Sequence, residues 1–137
     1  MWILMMCVLG QTGEVDAIKE AALGYLDGWF QSDAKKMESA LHPYLHKFRV
    51  STVKNSSHQF LDVMTADELI GISGVNQQWV KDKGHGEPEI LFYNSDIAVV
   101  FAQSDGFYDL INLAKINGSW KIVQVLWQVG EGKSQAP

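Results

Sequence analysis

The sequence predicts a single domain of the α+β class, in which N-terminal helices cover one face of an antiparallel sheet. Helical periodicity of three and four residues dominates residues 14–41, whereas strand-like segments separated by turn residues dominate from Pro88 onward. Helices at one end of a chain and antiparallel strands at the other are typical of a layered α+β domain. A length of 137 residues with 47% hydrophobic content suits one packed domain.

The N-terminal half contains three predicted helices. The first, residues 14–31, is amphipathic, because apolar side chains recur on one face: Val15, Ile18, Ala22, Tyr25, Leu26, Trp29 and Phe30. The second is short, since it starts after the N-cap residue Asp33 and must end before Pro43. The third begins at Thr65 and Glu68, which have the spacing of a capping box.

The remaining segments read as strands. Residues 45–53 form an extended segment, which is followed by a polar surface loop at 55–58. After Pro88, turn residues separate four apolar segments that predict a four-strand meander: 89–94, 97–103, 107–116 and 120–129.

The last hairpin determines which residues share a face. Asn117 and Gly118 favour a two-residue type I′ turn, because both tolerate positive φ. Counting outward, one face pairs Lys115 with Trp120, Leu113 with Ile122, Ile111 with Gln124 and Asp109 with Leu126. The other face pairs Asn112 with Val123, Leu110 with Val125 and Tyr108 with Trp127. Both faces are apolar, so we expect the helices to cover one and a second copy of the chain to cover the other, unless a bulge shifts the register.

Composition argues against several classes of function. Eleven basic and sixteen acidic residues give a formal charge of -5, and no basic stripe is present, so nucleic acid is not an expected partner. The single cysteine, Cys7, cannot form an internal disulfide. The four histidines are scattered without metal-ligand spacing, so we expect neither a metal site nor a cofactor.

The chain divides into an apolar N-terminal extension (1–13), the domain itself (14–130) and a polar tail (131–137). The apolar run at residues 1–10 is too short to span a membrane and has no preceding Lys or Arg. We interpret it as an extension or strand that covers apolar surface, with a truncated secretion signal as the alternative. The first interpretation favours a cytoplasmic location, and the second a periplasmic or secreted one.

Several segments resemble the putative lumazine-binding family of the nuclear transport factor 2-like (SnoaL-like) superfamily. They are YLDGWF (25–30), ALHPYL (40–45), MTADELI (64–70) and YDLINLAKINGSWKIVQVLW (108–127). The resemblance covers residues 14–129. It implies a cystatin-like cone, with N-terminal helices packed on a strongly curved antiparallel sheet, a deep pocket between them and homodimers built through the outer sheet face. The superfamily includes isomerases, cyclases, dehydratases and non-catalytic domains, so the fold does not choose among them.

The predicted site combines two catalytic candidates with four ligand-binding candidates. Asp109, on the inner face, and His42, at the end of the second helix, are residue types suited to acid–base chemistry. Each residue also has a purely structural explanation. Asp109 can be present for its hydrogen bonds, and a histidine such as His42 is favoured near a helix C-terminus by the helix dipole and the free carbonyl groups. Aromatic and apolar walls are typical of ligand sites, although such residues also form ordinary core. The ligand-binding candidates are Tyr25, Trp29, Ile111 and Trp120, and the dimer-interface candidates are Leu110, Asn112, Val123, Val125 and Trp127.

Three functions follow from these predictions. The first is a small-molecule-binding domain for an apolar or aromatic ligand. The second is an isomerase-, cyclase- or dehydratase-like enzyme that uses an Asp109–His42 pair. The third is a dimeric assembly domain without a ligand, which a cavity smaller than about 300 Å³ would favour.

Overall fold

The computed structural model describes the backbone of residues 2–130 and the side chains of residues 13–130. Its elements are α1 (Trp2–Phe30), α2 (Ala34–Ala40), β1 (Leu41–Thr52), β2 (Gln59–Thr65), α3 (Ala66–Ser73), α4 (Gln77–Val80), β3 (Glu89–Tyr93), β4 (Ile97–Ser104), β5 (Phe107–Ile116) and β6 (Ser119–Val129). The α+β prediction is confirmed. The unpredicted elements are β2, whose side chains are mostly exposed on both faces, and the single-turn helix α4.

The strands form one six-stranded sheet in the order β2-β1-β6-β5-β4-β3. The predicted meander from β3 to β6 is confirmed, because each of these strands pairs antiparallel with the next. The sheet as a whole is mixed, since β1 lies parallel to β6. The first and last strands therefore meet in the middle of the sheet.

The turn between β5 and β6 is the predicted one, but the register beyond it changes. Asn117 and Gly118 have φ values of 51° and 81°. The predicted pairs hold as far as Leu113 with Ile122, after which Val123 has no opposite residue. Beyond this β-bulge the pairs are Asn112 with Gln124, Ile111 with Val125, Leu110 with Leu126, Asp109 with Trp127 and Tyr108 with Gln128.

The bulge corrects part of the predicted dimer interface. Because one extra residue reverses the side-chain alternation, Val125 and Trp127 lie on the inner face of the sheet. Val125 is fully buried, which is incompatible with an exposed contact surface. Leu110 and Asn112 keep their predicted place on the outer face and are half-buried.

Helix α1 lies against the inner face of the sheet. Ile18, Ala22, Tyr25 and Leu26 are buried there, as the apolar stripe predicts. The predicted caps are also present: Asp33 accepts a hydrogen bond from Lys36 N at the start of α2, and Thr65 forms a capping box with Glu68 at the start of α3.

The structure describes the two ends of the chain only in part. Helix α1 begins at Trp2, so the backbone of the predicted extension is helical and not a strand. The side chains of residues 1–12 and the predicted tail at 131–137 lie outside the described residues. Within the described part of the chain, no helix is both long enough and apolar enough to cross a membrane.

Candidate functional site

A small, partly open cavity lies between α1 and the inner face of the sheet. Its volume is about 70 Å³. Apolar and aromatic side chains from α1, α3, β2, β5 and β6 form most of the wall, and two charged residues complete it. The lining residues are Tyr25, Leu26, Trp29, Phe30, Lys47, Met64, Leu69, Phe107, Asp109 and Trp127.

Three polar side chains meet in this cavity, each from a different element. The Tyr25 hydroxyl donates to Asp109 Oδ1 at 3.0 Å, and Lys47 Nζ donates to the Tyr25 hydroxyl at 2.5 Å. Lys47 Nζ also lies 3.4 Å from Asp109 Oδ1. The side chains of Lys47 and Asp109 are only 12% and 6% exposed. The result is a buried ion pair bridged by a phenol, which we call the Lys–Tyr–Asp cluster.

Strand alternation explains why these residues point inward. Lys47 lies between the buried Leu45 and the inward-facing Arg49 on β1, and Asp109 precedes the buried Ile111 on β5. Tyr25 belongs to the buried stripe of α1.

Burial sets the protonation properties of the cluster. It raises the pKa of Tyr25 well above its usual value of 10.0, and the negative charge and hydrogen bond of Asp109 add to this effect. Burial also lowers the pKa of Lys47, an effect that Asp109 opposes and the neighbouring Arg49 charge reinforces. Tyr25 therefore remains a neutral hydrogen-bond donor at neutral pH, and Lys47 gives up its proton more readily than an exposed lysine.

Trp127 forms the wall of the cavity beside the cluster. Lys47 Nζ and Arg49 Cζ each lie 4.7 Å from the centre of the Trp127 ring, within the range of cation–π attraction. Trp127 reaches this position only because of the bulge at Val123.

Trp29 contributes an unused donor to the same wall. Its Nε1 is buried and has no hydrogen-bond partner among the described residues. Its backbone carbonyl accepts a hydrogen bond from the buried Asn76 side chain, which in turn accepts one from Ser32. This link fixes the backbone at the end of α1, whereas the indole N–H of Trp29 is left unpaired among the described residues.

A more open depression of about 220 Å³ adjoins the cavity. Lys47, Met64 and Trp127 line both spaces, and Asp62 and Glu68 contribute carboxylates to the outer one. Met64 and Trp127 therefore stand between the two spaces, and Lys47 is the member of the Lys–Tyr–Asp cluster that reaches both.

The structure keeps Asp109 in the predicted site but does not bring His42 to it. His42 belongs to β1, not to the end of α2, and is absent from the cavity wall. Its Nδ1 accepts a hydrogen bond from Tyr44 N, and its ring contacts that of Tyr44, which is 81% exposed. Because α2 ends at Ala40, the segment turns away from the cavity, and the partners of Asp109 are Lys47 and Tyr25.

Two of the four predicted ligand-binding residues line the cavity. Tyr25 and Trp29 do, whereas Ile111 is fully buried in the core elsewhere on the inner face. Trp120 lies farther along the sheet, where its indole donates to Glu14 at 3.1 Å.

Lys47 is the functional candidate that the sequence interpretation missed. The signal was available, because an extended segment starting at the buried Leu45 places Lys47 and Arg49 on the same inward face. A lysine at such a position is uncommon in a core strand. Among the described side chains, no group of three or more His, Cys, Asp or Glu is arranged to hold a metal ion.

Comparisons with known proteins identify the fold. No curated protein matches the sequence. A nuclear transport factor 2-like protein of unknown function from Silicibacter pomeroyi superposes with a TM-score of 0.70 at 16% identity, over 88% of this chain and 98% of that one. A ketosteroid isomerase-like protein from Erwinia carotovora atroseptica gives 0.64 at 17% identity, over 87% and 98% of the two chains.

A third solved structure supports the same fold class. A nuclear transport factor 2-like protein with a cystatin-like fold from Novosphingobium aromaticivorans superposes with a TM-score of 0.66 at 11% identity, over 95% of this chain and 90% of that one. At these identities the likeness concerns the fold alone. The model of one sequence family, described as putative lumazine-binding, matches residues 13–128. The chain therefore belongs to the putative lumazine-binding family and has the cystatin-like fold of nuclear transport factor 2-like proteins.

Proposed function

We propose that this domain binds a small molecule in the cavity between α1 and the sheet. One observation carries the proposal: a buried Lys–Tyr–Asp cluster stands in an otherwise apolar, aromatic-walled cavity. Ligand sites combine mostly apolar walls with a few convergent polar groups in this way.

Stability alone is a poor explanation for the cluster. Desolvating two charges costs several kcal/mol per ion, and hydrophobic side chains of similar volume often give equal or greater stability. The Trp29 indole N–H is also buried without a partner in the described structure, which is unfavourable in an ordinary apolar core. Buried ionisable groups with shifted pKa values are concentrated at functional sites.

The cavity sets limits on the ligand. A volume of about 70 Å³ is well below the ~300–1,000 Å³ of sites for drug-sized ligands. We therefore infer a small apolar or monocyclic aromatic compound with an oxygen that accepts hydrogen bonds from Lys47 and Trp29. The family description points to lumazine as a further probe, although its two fused rings require the shared wall of Met64 and Trp127 to open.

Titration with phenol and with lumazine, followed by NMR of the indole N–H groups, tests the proposal. We expect phenol to shift the Trp29 and Trp127 signals saturably, because both rings line the cavity. Met64→Trp should abolish the shifts by filling the space beside Trp127. Val75→Trp is the matched control, since Val75 is 72% exposed and does not line the cavity. The proposal fails if neither probe saturates, or if Met64→Trp leaves the binding unchanged.

Assembly through the outer face of the sheet is a second candidate function. The small cavity volume favours it, and so does a set of exposed apolar side chains on that face. This outer apolar patch consists of Val50, Leu61, Val63, Phe92, Ile97 and Leu126, which are between 45% and 53% exposed. Apolar patches of this kind mark interaction sites in soluble proteins. We infer a second copy of the chain as the partner, and the two functions are compatible because they use opposite faces.

A further inference from the structure

Lys47 has an environment suited to covalent chemistry. Its amine is enclosed between the rings of Tyr25 and Trp127, whose centres lie 5.1 Å and 4.7 Å from Nζ. Lysine side chains normally extend into water, so a 12% exposed lysine in an aromatic cavity is uncommon. A desolvated amine of this kind is a stronger nucleophile at neutral pH, because more of it is unprotonated.

The hydrogen bonds of the cluster form a path for protons. Lys47 donates to the Tyr25 oxygen, and the Tyr25 hydroxyl donates to Asp109 Oδ1. A proton on the amine can therefore reach the Asp109 carboxylate through the phenol without entering bulk water, and can return along the same path. Burial is the main reason why the pKa of Lys47 is lowered, and the lowered pKa favours transfer of the proton from Lys47 toward Asp109.

We propose that Lys47 forms a Schiff base with a small aldehyde or ketone bound in the cavity. The inference rests on the proposed ligand-binding function and names a carbonyl compound as the ligand class. Such a molecule suits a cavity of about 70 Å³, and it reaches the amine from the adjoining depression by passing Met64 and Trp127.

The reaction balances with the groups present. Asp109 accepts a proton from the Lys47 ammonium through Tyr25, and the neutral amine attacks the carbonyl carbon. The C–N bond forms as the C=O π electrons move to oxygen, and a proton passes from nitrogen to that oxygen, which gives a carbinolamine. Asp109 then returns its proton through Tyr25 to the hydroxyl group, which leaves as water while the nitrogen lone pair forms C=N. The product is a protonated imine and the carboxylate is regenerated.

Reductive trapping with propanal and sodium cyanoborohydride at neutral pH tests the proposal in the whole protein. The adducts are located by peptide mass spectrometry under conditions that modify fewer than one site per chain. We expect the first adduct on Lys47, and faster modification there than at the exposed Lys54. Tyr25→Phe should slow the reaction at Lys47 on the order of 100-fold, since general acid–base groups contribute about 10²–10⁴ in rate. Tyr44→Phe removes an exposed hydroxyl and should leave the rate unchanged.

Adducts confined to exposed lysines in the wild-type protein would overturn the proposal, and so would equal rates in the wild type and Tyr25→Phe. Lys47→Arg, which keeps the positive charge, should show no adduct at this position, and circular dichroism reports whether it folds. The wild-type map decides the question even if that variant does not fold. Propan-1-ol, titrated by NMR, separates the two proposals: saturable binding without a Lys47 adduct leaves the ligand site intact and removes the Schiff base.

Discussion

At the scale of single residues, the domain pairs charges in two separate places, one buried and one partly exposed. The Lys–Tyr–Asp cluster occupies the cavity, and a second pair joins His85, in the loop before β3, to Asp27 of α1. His85 Nε2 lies 2.7 Å from Asp27 Oδ1, and Nδ1 lies 2.7 Å from the carbonyl oxygen of Gly86. Both ring nitrogens face acceptors, so the imidazolium form satisfies both contacts.

The His85 contact should make stability depend on pH. Burial lowers the pKa of His85, but the Gly86 carbonyl, Asp27 and Glu87 together outweigh burial and raise it above 6.5. A raised pKa in the folded state gives stability that is complete below the unfolded value and is lost as pH rises through the folded value. We therefore expect His85→Gln to destabilise the protein more below pH ~6 than above pH ~8.

Urea unfolding of the wild type and of His85→Gln at both pH values measures this difference. His58→Gln is the matched control, because His58 lies exposed in the loop after β1. An effect of His85→Gln that is the same at both pH values would contradict the assignment.

At the scale of elements, features that depend on neighbouring residues were predicted from the sequence better than the pairing of distant strands. The capping box of Thr65 and Glu68 and the turn at Asn117 and Gly118 depend on neighbouring residues, and both are present as predicted. The bulge at Val123 has no comparable local signal. It lies where the parallel pairing of β1 with β6 is also irregular, so it depends on a strand about 80 residues away.

The contact between α1 and α2 gives a prediction at this scale. A Cβ added to Gly28 would lie 2.8 Å from Met37 N, which belongs to the backbone of α2 and cannot move without shifting the helix. We expect Gly28→Ala to destabilise the domain, because overpacking costs about 1–3 kcal/mol. The helix propensity of alanine offsets up to about 1 kcal/mol of that cost.

Thermal unfolding of Gly28→Ala and Gly71→Ala makes the comparison. A Cβ at Gly71, within α3, would meet no atom within 4 Å, so this variant should be as stable as the wild type or slightly more stable. If Gly28→Ala is as stable as Gly71→Ala, the close packing of α1 on α2 at Gly28 is disproved.

At the scale of the whole molecule, the family and the α+β architecture followed from the sequence, whereas the composition of the site followed only in part. The roles of the site residues stay predictions. Tyr25, Trp29 and Asp109 line the cavity. His42 does not, because the chain changes from helix to strand at Leu41, one residue before it. Counting from the turn predicts Trp127 on the outer face. The extra residue at Val123 shifts the register by one and places Trp127 on the inner face, and the turn itself gives no sign of that shift.

The outer apolar patch predicts a dimer. Leu126 lies centrally on the outer face, on β6 between β1 and β5, and is 46% exposed. We expect Leu126→Lys to raise the dimer dissociation constant at least about tenfold, which corresponds to ~1.4 kcal/mol, because it places a charge in an apolar contact. Sedimentation velocity over a range of concentrations measures the effect. Trp79→Lys is the control, since Trp79 is 53% exposed on α4, and a wild-type chain that stays monomeric would refute the prediction.

The parallel pairing of β1 with β6 also has a consequence for synthesis of the chain. Before residues 119–129 leave the ribosome, the β1–β2 pair and the β3–β4–β5 strands are two separate pieces of sheet, because β6 is the strand that joins them. Lys47 and Asp109 then belong to different fragments, with no strand to hold them side by side. The nascent chain thus acquires its reactive amine environment in one late event, when the closing strand inserts between the two pieces and brings Trp127 into the wall.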